Sequence, residues 1–329
     1  MTELVLNTYG TCLAKENDNF VVIHKDGRQM IAPDKIRSVC VSRGASITSD
    51  AALLAIQNQI DVVFIDNSGK PSGRIWSVKF GSISTIRRHQ LDFNQSKHAV
   101  EWIKELLIKK LDNQMALLLS LLPGQNEQTI KQIDNAIRRI DIYKEKIKHL
   151  EGNYLIEIAE NLRGWEGITG KIYFNAVNKV LPVAYQSSGR SQHPAMDIFN
   201  CLLNYGYGML YGKIEGALIR AGIDPYIGIF HRDEYNRPAL AYDIIEIYRI
   251  WIDYVVINLL QQNVIDDDCY SIKADGSYWL ETMGKRILIQ SVNDYLSEVI
   301  SVQGLERSRL THIELYCQHL AQIFLKFNP

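Results

Sequence analysis

The stretch Trp102 to Leu150, WIKELLIKKLDNQMALLLSLLPGQNEQTIKQIDNAIRRIDIYKEKIKHL, decides the fold class. Trp102, Leu106, Leu107, Lys110 and Leu111 recur at helical spacing. The segment begins near residue 88 and stops at Pro123-Gly124, a strong helix breaker. A second segment runs from Asn126 to Leu150, with Ile130, Ile133, Ile137, Ile140 and Ile147 as its apolar stripe. Two long amphipathic helices joined by a tight turn are the expectation. Downstream the helical period continues, over about 153–162, 166–181, 195–222, 239–262 and several segments after 278. Ser187 to Arg190 and residues 223–238 read as loops.

Upstream the period is two. Phe20-Val21-Val22-Ile23 and Gln29-Met30-Ile31-Ala32 flank Asp26-Gly27, a hairpin turn signal. Ile36 to Val41 is β-branched. Thr48-Ser49-Asp50 offers caps for a short helix over Ala51 to Gln57. Asp61 to Ile65 returns to strand, and Asn67-Ser68-Gly69 turns it toward Arg74 to Val78. The expected architecture is α+β: a small, sandwich-like β-sheet domain over 1–82, then a larger all-α domain over 83–329.

Composition narrows the function. Among 329 residues, 47% are hydrophobic and 22% charged, which are globular values. Lys plus Arg is 36 and Asp plus Glu is 37, so no overall basic field announces a nucleic-acid partner. The cysteines, Cys12, Cys40, Cys201, Cys269 and Cys317, are odd in number and form no CxxC. No signal-peptide pattern opens the chain and no apolar run is long enough for a bilayer. A soluble, cytoplasmic protein without membrane contact is expected.

Two tempting motifs fail. Gly164 to Lys171 has the wrong glycine spacing for a phosphate loop, and Ile172 follows the lysine. Gly206, Gly208 and Gly212 lie in a helical run without a preceding strand, so they suit helix packing. The segment around Glu246 is more informative. Asp243, Glu246, Arg249 and Asp253 fall on one face of an otherwise apolar helix. Such a face is solvated, paired, or used to bind a cation. The plain reading is a surface stripe with an ion pair between Glu246 and Arg249.

His231 closes the run Tyr226 to Phe230, either as an ordinary loop-edge histidine or as a metal ligand. Glu166 stands at an expected helix start, where a carboxylate also suits the helix dipole. Together Glu166, His231 and Glu246 supply a mixed nitrogen and oxygen set suited to Mg²⁺ or Mn²⁺. Their spacing does not require them to converge. Residues 81–150 hold 12 Lys and Arg against 8 Asp and Glu. Arg138, Arg139 and their neighbours follow a phosphate backbone or form a solvated face.

Several motifs together carry a resemblance. They are Gly44 to Asp50; Ile60 to Asp66 with Gly69-Lys70-Pro71; Gly164-Trp165-Glu166-Gly167 with Tyr173-Phe174; Arg190, Pro194, Asp197 and Asn200 leading to Leu202 through Tyr207; Gly222 to Gly228 with His231; and Arg237 to Asp243 with Glu246 and Arg249. Over nearly its whole length the chain resembles the CRISPR-associated endonuclease/integrase family that inserts new spacers into CRISPR arrays. The resemblance implies that Glu166, His231 and Glu246 are the catalytic metal ligands. It makes Asp243 and Arg249 auxiliary groups behind them, and Arg190 a DNA contact beside Arg138 and Arg139. It further implies double-stranded DNA as substrate, both short fragments and CRISPR repeat DNA. A homodimer held by the β domain and a small ferredoxin-like adaptation partner protein complete the expectation. A general metal-dependent DNase and a non-catalytic DNA-binding scaffold are the alternatives.

Overall fold

The computed structural model describes residues 2–65, 71–75, 83–192, 194–231 and 237–328. The expected turn at Asn67-Ser68-Gly69, the strand residues Trp76 to Val78, and Asp66, Gly69 and Lys70 of the resemblance lie outside them. The chain divides into two units, Met1–Gly81 and Ser82–Pro329.

The described residues of the first unit form two four-stranded sheets. β1 (Thr2–Leu6), β5 (Ile36–Val41), β7 (Asp61–Ile65) and β8 (Pro71–Ile75) form one, in the order β1-β5-β7-β8. β2 (Cys12–Glu16), β3 (Asn19–His24), β4 (Gly27–Ile31) and β6 (Ser46–Ile47) form the other, in the order β4-β3-β2-β6. Asp26-Gly27 makes the expected hairpin, with His24 opposite Gly27 and φ of +145° at Gly27. The parallel pairs β1–β5 and β5–β7 need crossovers. The β5–β7 crossover carries α1 (Ser49–Gln57), whose cap is Thr48, its side chain accepting from the Ala51 N–H. Leu6, Leu13, Phe20, Val39, Leu54 and Val62 join both sheets and the helix in one apolar core.

The second unit is built on helices: α2 (Ile83–Asn94), α3 (Lys97–Ser120), α4 (Glu127–Lys148), α5 (Leu155–Val180), α6 (Ile198–Arg220) and α7 (Ala239–Gln261). β9 (Tyr270–Ile272) and β10 (Tyr278–Leu280) then form a hairpin. α8 (Thr282–Ser297), a second hairpin of β11 (Val299–Val302) and β12 (Leu305–Ser308), and α9 (Arg309–Lys326) complete it. Those hairpins qualify the all-α expectation: their three- and four-residue strands are too short to register as periodic runs. α6 packs on α7, where Gly206 lets Ile252 approach so closely that an added Cβ would lie 2.5 Å from it. No helix among the described residues is long and apolar enough to cross a membrane.

One expected boundary is absent. Leu155–Val180 form a single helix, α5, where two were expected over 153–162 and 166–181, so Glu166 sits in mid-helix and not in a first turn. Gly164, Gly167 and Gly170 look like breakers in sequence. Here they lie inside the helix with open space where a Cβ would stand. The neighbouring Leu162, Thr169, Ile172 and Tyr173 are buried, and that packing outweighs the weak helix propensity of glycine.

Candidate active site

Glu166, His231 and Glu246 arrive from α5, the loop before α7, and α7. The structure brings the two glutamates onto one cation. Lys110 of α3 places its Nζ 2.6 Å from Glu166 Oε1 and 2.6 Å from Glu246 Oε2. The second contact is an ion pair without aligned hydrogen-bond geometry, so Glu246 Oε2 is a buried oxygen lacking a hydrogen-bond partner among the described residues. Glu246 Oε1 accepts from Arg249 Nε at 2.7 Å. Arg249 also donates to the Tyr211 hydroxyl at 2.8 Å and stacks over the Tyr207 ring at 4.7 Å.

The expected acidic face of α7 exists, but it is not solvated. Asp243, Glu246 and Asp253 are all buried. Burial pushes the Glu246 carboxyl up, yet the Arg249 and Lys110 charges prevail and bring it down to about 2. For Lys110 burial works against the charge, and Glu246 and Glu166 outweigh it, so its pKa rises. The i,i+3 pair of Glu246 and Arg249 is therefore real and interior.

Asp243 supports the histidine. Its Oδ2 accepts from the backbone N–H of Ile229 at 2.7 Å and of Phe230 at 3.1 Å. Its Oδ1 accepts from the His231 N–H at 2.9 Å and meets His231 Nδ1 at 2.7 Å. Burial pulls the imidazole down, but the Asp243 bond and charge exceed it, with help from Glu246 and Glu166, so His231 titrates above its ordinary value. That both glutamates act on His231 ties the three residues electrostatically. With Nδ1 donating to Asp243, Nε2 carries the ring's lone pair.

The loop before His231 is clamped from below. Gln90 of α2, fully buried, donates to the carbonyls of Asp224 and Ile227 and accepts from the Asp224 N–H. Asn94 donates to the Gly228 carbonyl at 2.7 Å, and Arg163 of α5 to that of Phe230 at 3.0 Å. Gly228 is required by contact: a Cβ would lie 2.5 Å from that of Ala239 and 2.6 Å from the His231 carbonyl oxygen.

Lys110, Gln90, Asn94 and Arg163 were absent from the sequence-derived site. Lys110 had a signal, a lysine on the apolar stripe of α3 between Leu107 and Leu111. A buried ammonium there demands carboxylate partners. Asp253 shares the acidic face but not the site. Burial raises it to about 6, and the hydroxyls of Tyr173 and Tyr207 donate to it. Arg190 is committed to the Ser191 carbonyl and to the side chains of Asn200 and Asn204, and it stacks over the Phe174 and Tyr207 rings. Arg138 and Arg139 are exposed on α4.

The donor set suits a small divalent cation. An ammonium already sits between two carboxylates, one of whose oxygens has no hydrogen-bond partner among the described residues. A histidine nitrogen fixed through its other nitrogen stands in the same charge cluster. Among the described residues, no three His, Cys, Asp or Glu side chains already form a ligand set. The fit is thus two carboxylates held together, with the imidazole to close on them.

The family profile described as CRISPR associated protein Cas1 matches residues 4–294. The chain belongs to the Cas1 family. The CRISPR-associated endonuclease Cas1 1 of Archaeoglobus fulgidus is 31% identical over 314 residues, 92% of this chain and 90% of that one. Two solved structures share the Cas1 fold seen here. A casposase bound to integration product has TM-score 0.80 at 21% identity, covering 99% of this chain and 91% of its own. A chain of a Cas6-RT-Cas1–Cas2 complex has TM-score 0.78 at 22% identity, covering 98% of this chain and 35% of its own.

Proposed function

We propose that this Cas1-family chain is a metal-dependent DNA integrase and endonuclease that inserts short DNA fragments into a CRISPR array. The observation that carries the reading is the pair Glu166 and Glu246 gathered on one cation, beside a histidine oriented by Asp243. Family membership and the endonuclease relative supply the reaction class; the casposase bound to integration product supports DNA strand transfer on this fold.

Glu166, Glu246 and His231 would hold Mg²⁺ or Mn²⁺. That ion would stabilise charge on phosphoryl oxygens and lower the pKa of the attacking or leaving oxygen. The remaining roles belong to the chain itself. Arg249 fixes the Glu246 carboxylate through Oε1 and leaves Oε2 facing inward. Asp243 keeps a proton on Nδ1 of His231 and so keeps Nε2 a donor of electrons. The Gln90, Asn94 and Arg163 contacts hold the histidine loop at a fixed height over α5 and α7. A 3′-hydroxyl of a fragment attacks a phosphodiester at the repeat boundary, and the displaced strand leaves with its 3′ oxygen. Water in place of the hydroxyl gives hydrolysis, so nuclease activity follows from the same site.

The working assembly would be a homodimer held by the first unit, joined to a small ferredoxin-like partner protein. Occurrence of the fold in a Cas1–Cas2 complex supports the partner. Light scattering at micromolar concentration tests the dimer, and a monomer would remove it. Thermal denaturation with Mn²⁺ tests the site. Mn²⁺ should raise the parent midpoint and leave Glu166→Ala unmoved. An equal rise in both would place metal binding elsewhere.

A further inference from the structure

Lys110 deserves a role of its own. Its side chain is 9% exposed, and its ammonium touches both glutamates at the same 2.6 Å. Arg249 approaches Glu246 through the other oxygen, at Oε1. Among the described residues, Lys110 alone therefore lies between the two carboxylates. A divalent cation binds carboxylate oxygens at roughly 2.0–2.6 Å. To reach Glu166 Oε1 and Glu246 Oε2 together, it must stand close to where Nζ stands. An ammonium and a divalent ion exclude each other from such a place by volume and by charge. The lysine has a flexible four-carbon stem and no planar fork to lock it, so rotation about its side-chain bonds can carry the ammonium away.

We propose that Lys110 is a built-in competitor for the metal: it holds Glu166 and Glu246 together in the metal-free protein and must withdraw before a divalent cation can bridge them. This rests on the metal reading above and adds a regulation to it. The cost of displacing Lys110 lowers the affinity for free metal. A withdrawn ammonium remains tethered at the rim of the site, where an incoming DNA phosphate offers it a new counter-ion. Metal and DNA would then bind with positive coupling, because each relieves the same displacement.

The test is calorimetric titration of Mn²⁺ into full-length parent, Lys110→Met, Lys110→Arg and Glu246→Gln proteins. Lys110→Met should bind Mn²⁺ about tenfold more tightly than the parent or better, since the competing charge is gone. Lys110→Arg should bind no more tightly than the parent. Metal-free Lys110→Met should melt below the parent, and Mn²⁺ should restore its midpoint, which a merely structural lysine would not permit. Parental or weaker Mn²⁺ affinity in folded Lys110→Met, with binding still abolished by Glu246→Gln, overturns the competition and leaves the metal reading intact. Undiminished binding in Glu246→Gln overturns both. If Lys110→Met does not fold, a crystal structure of the parent with Mn²⁺ decides. Nζ displaced from between Glu166 and Glu246 supports the proposal, and Nζ still touching both overturns it.

Discussion

Replacing Asp243 by Asn changes one atom and no volume, yet it should disable the site. Among the described residues, the carboxylate accepts four hydrogen bonds, two at each oxygen. An amide has a single acceptor oxygen, so one pair of donors must face its NH₂. Turning the oxygen toward His231 strands the N–H groups of both Ile229 and Phe230. Turning it toward those two strands only the His231 N–H, because Nδ1 can accept from the amide instead. Each stranded buried donor costs about 1–3 kcal/mol, so the second arrangement should win with a net loss in that range. It moves the imidazole proton to Nε2, and the lone pair that would bind metal is gone. Urea denaturation followed by tryptophan emission should show the loss, and the Mn²⁺ midpoint shift should vanish. The His231 ring titration, followed by NMR, should fall below that of the parent. In the parent, the folded pKa stands above the ordinary 6.5. Its contribution to stability is then complete below that value and is lost as pH rises through the raised one. The variant should lack this slope. An unchanged denaturation midpoint together with an unchanged His231 titration would refute the reasoning.

Four further outcomes are expected. Glu246→Gln leaves Lys110 and Arg249 short of a buried counter-charge and should lower stability by about 3–5 kcal/mol, measured by urea denaturation. Gly206→Ala drives a methyl into Ile252 and should cost about 1–3 kcal/mol, with little change in any site readout. Burial penalises the ionised Asp253 carboxylate and raises it to about 6 in the folded chain, so that penalty is relieved and stability rises as pH falls from 6 toward 3.8. Asp253→Asn should abolish that part of the slope in denaturation series across this range. Arg138→Ala with Arg139→Ala should leave the fold intact. If α4 tracks DNA, the slope of log affinity against log salt should flatten by up to about one unit per lost phosphate contact.

The helices were legible wherever one apolar stripe sat beside a breaker, as at Pro123-Gly124 and at Asn126, whose side chain caps α4. α5 reads as two helices in sequence because Gly164, Gly167 and Gly170 lower helix propensity, while the packing that holds Leu162 and Tyr173 is set by other segments. The candidate site was legible as residue types but not as a place. Sequence gives the phase of Glu246 on its own helix and nothing about its distance from Glu166. The reading of the α7 stripe as solvent-facing failed because burial of Asp243 and Glu246 depends on partners in other segments. Lys110 comes from α3, and the N–H groups of Ile229 and Phe230 come from a loop. Gln90 had no local signal at all; a lone glutamine on a mixed helix becomes a clamp only when the 224–228 loop lies over it.

Strand joining measures the central claim most directly. A labelled duplex with free 3′ ends is incubated with a supercoiled, repeat-bearing plasmid, the partner protein and Mn²⁺. The parent chain should give covalently joined product, and Glu166→Gln, Glu246→Gln and His231→Ala should each give none while remaining folded. Joined product at the parental level from any one of these three would contradict the assignment of that residue and, with it, the shared site.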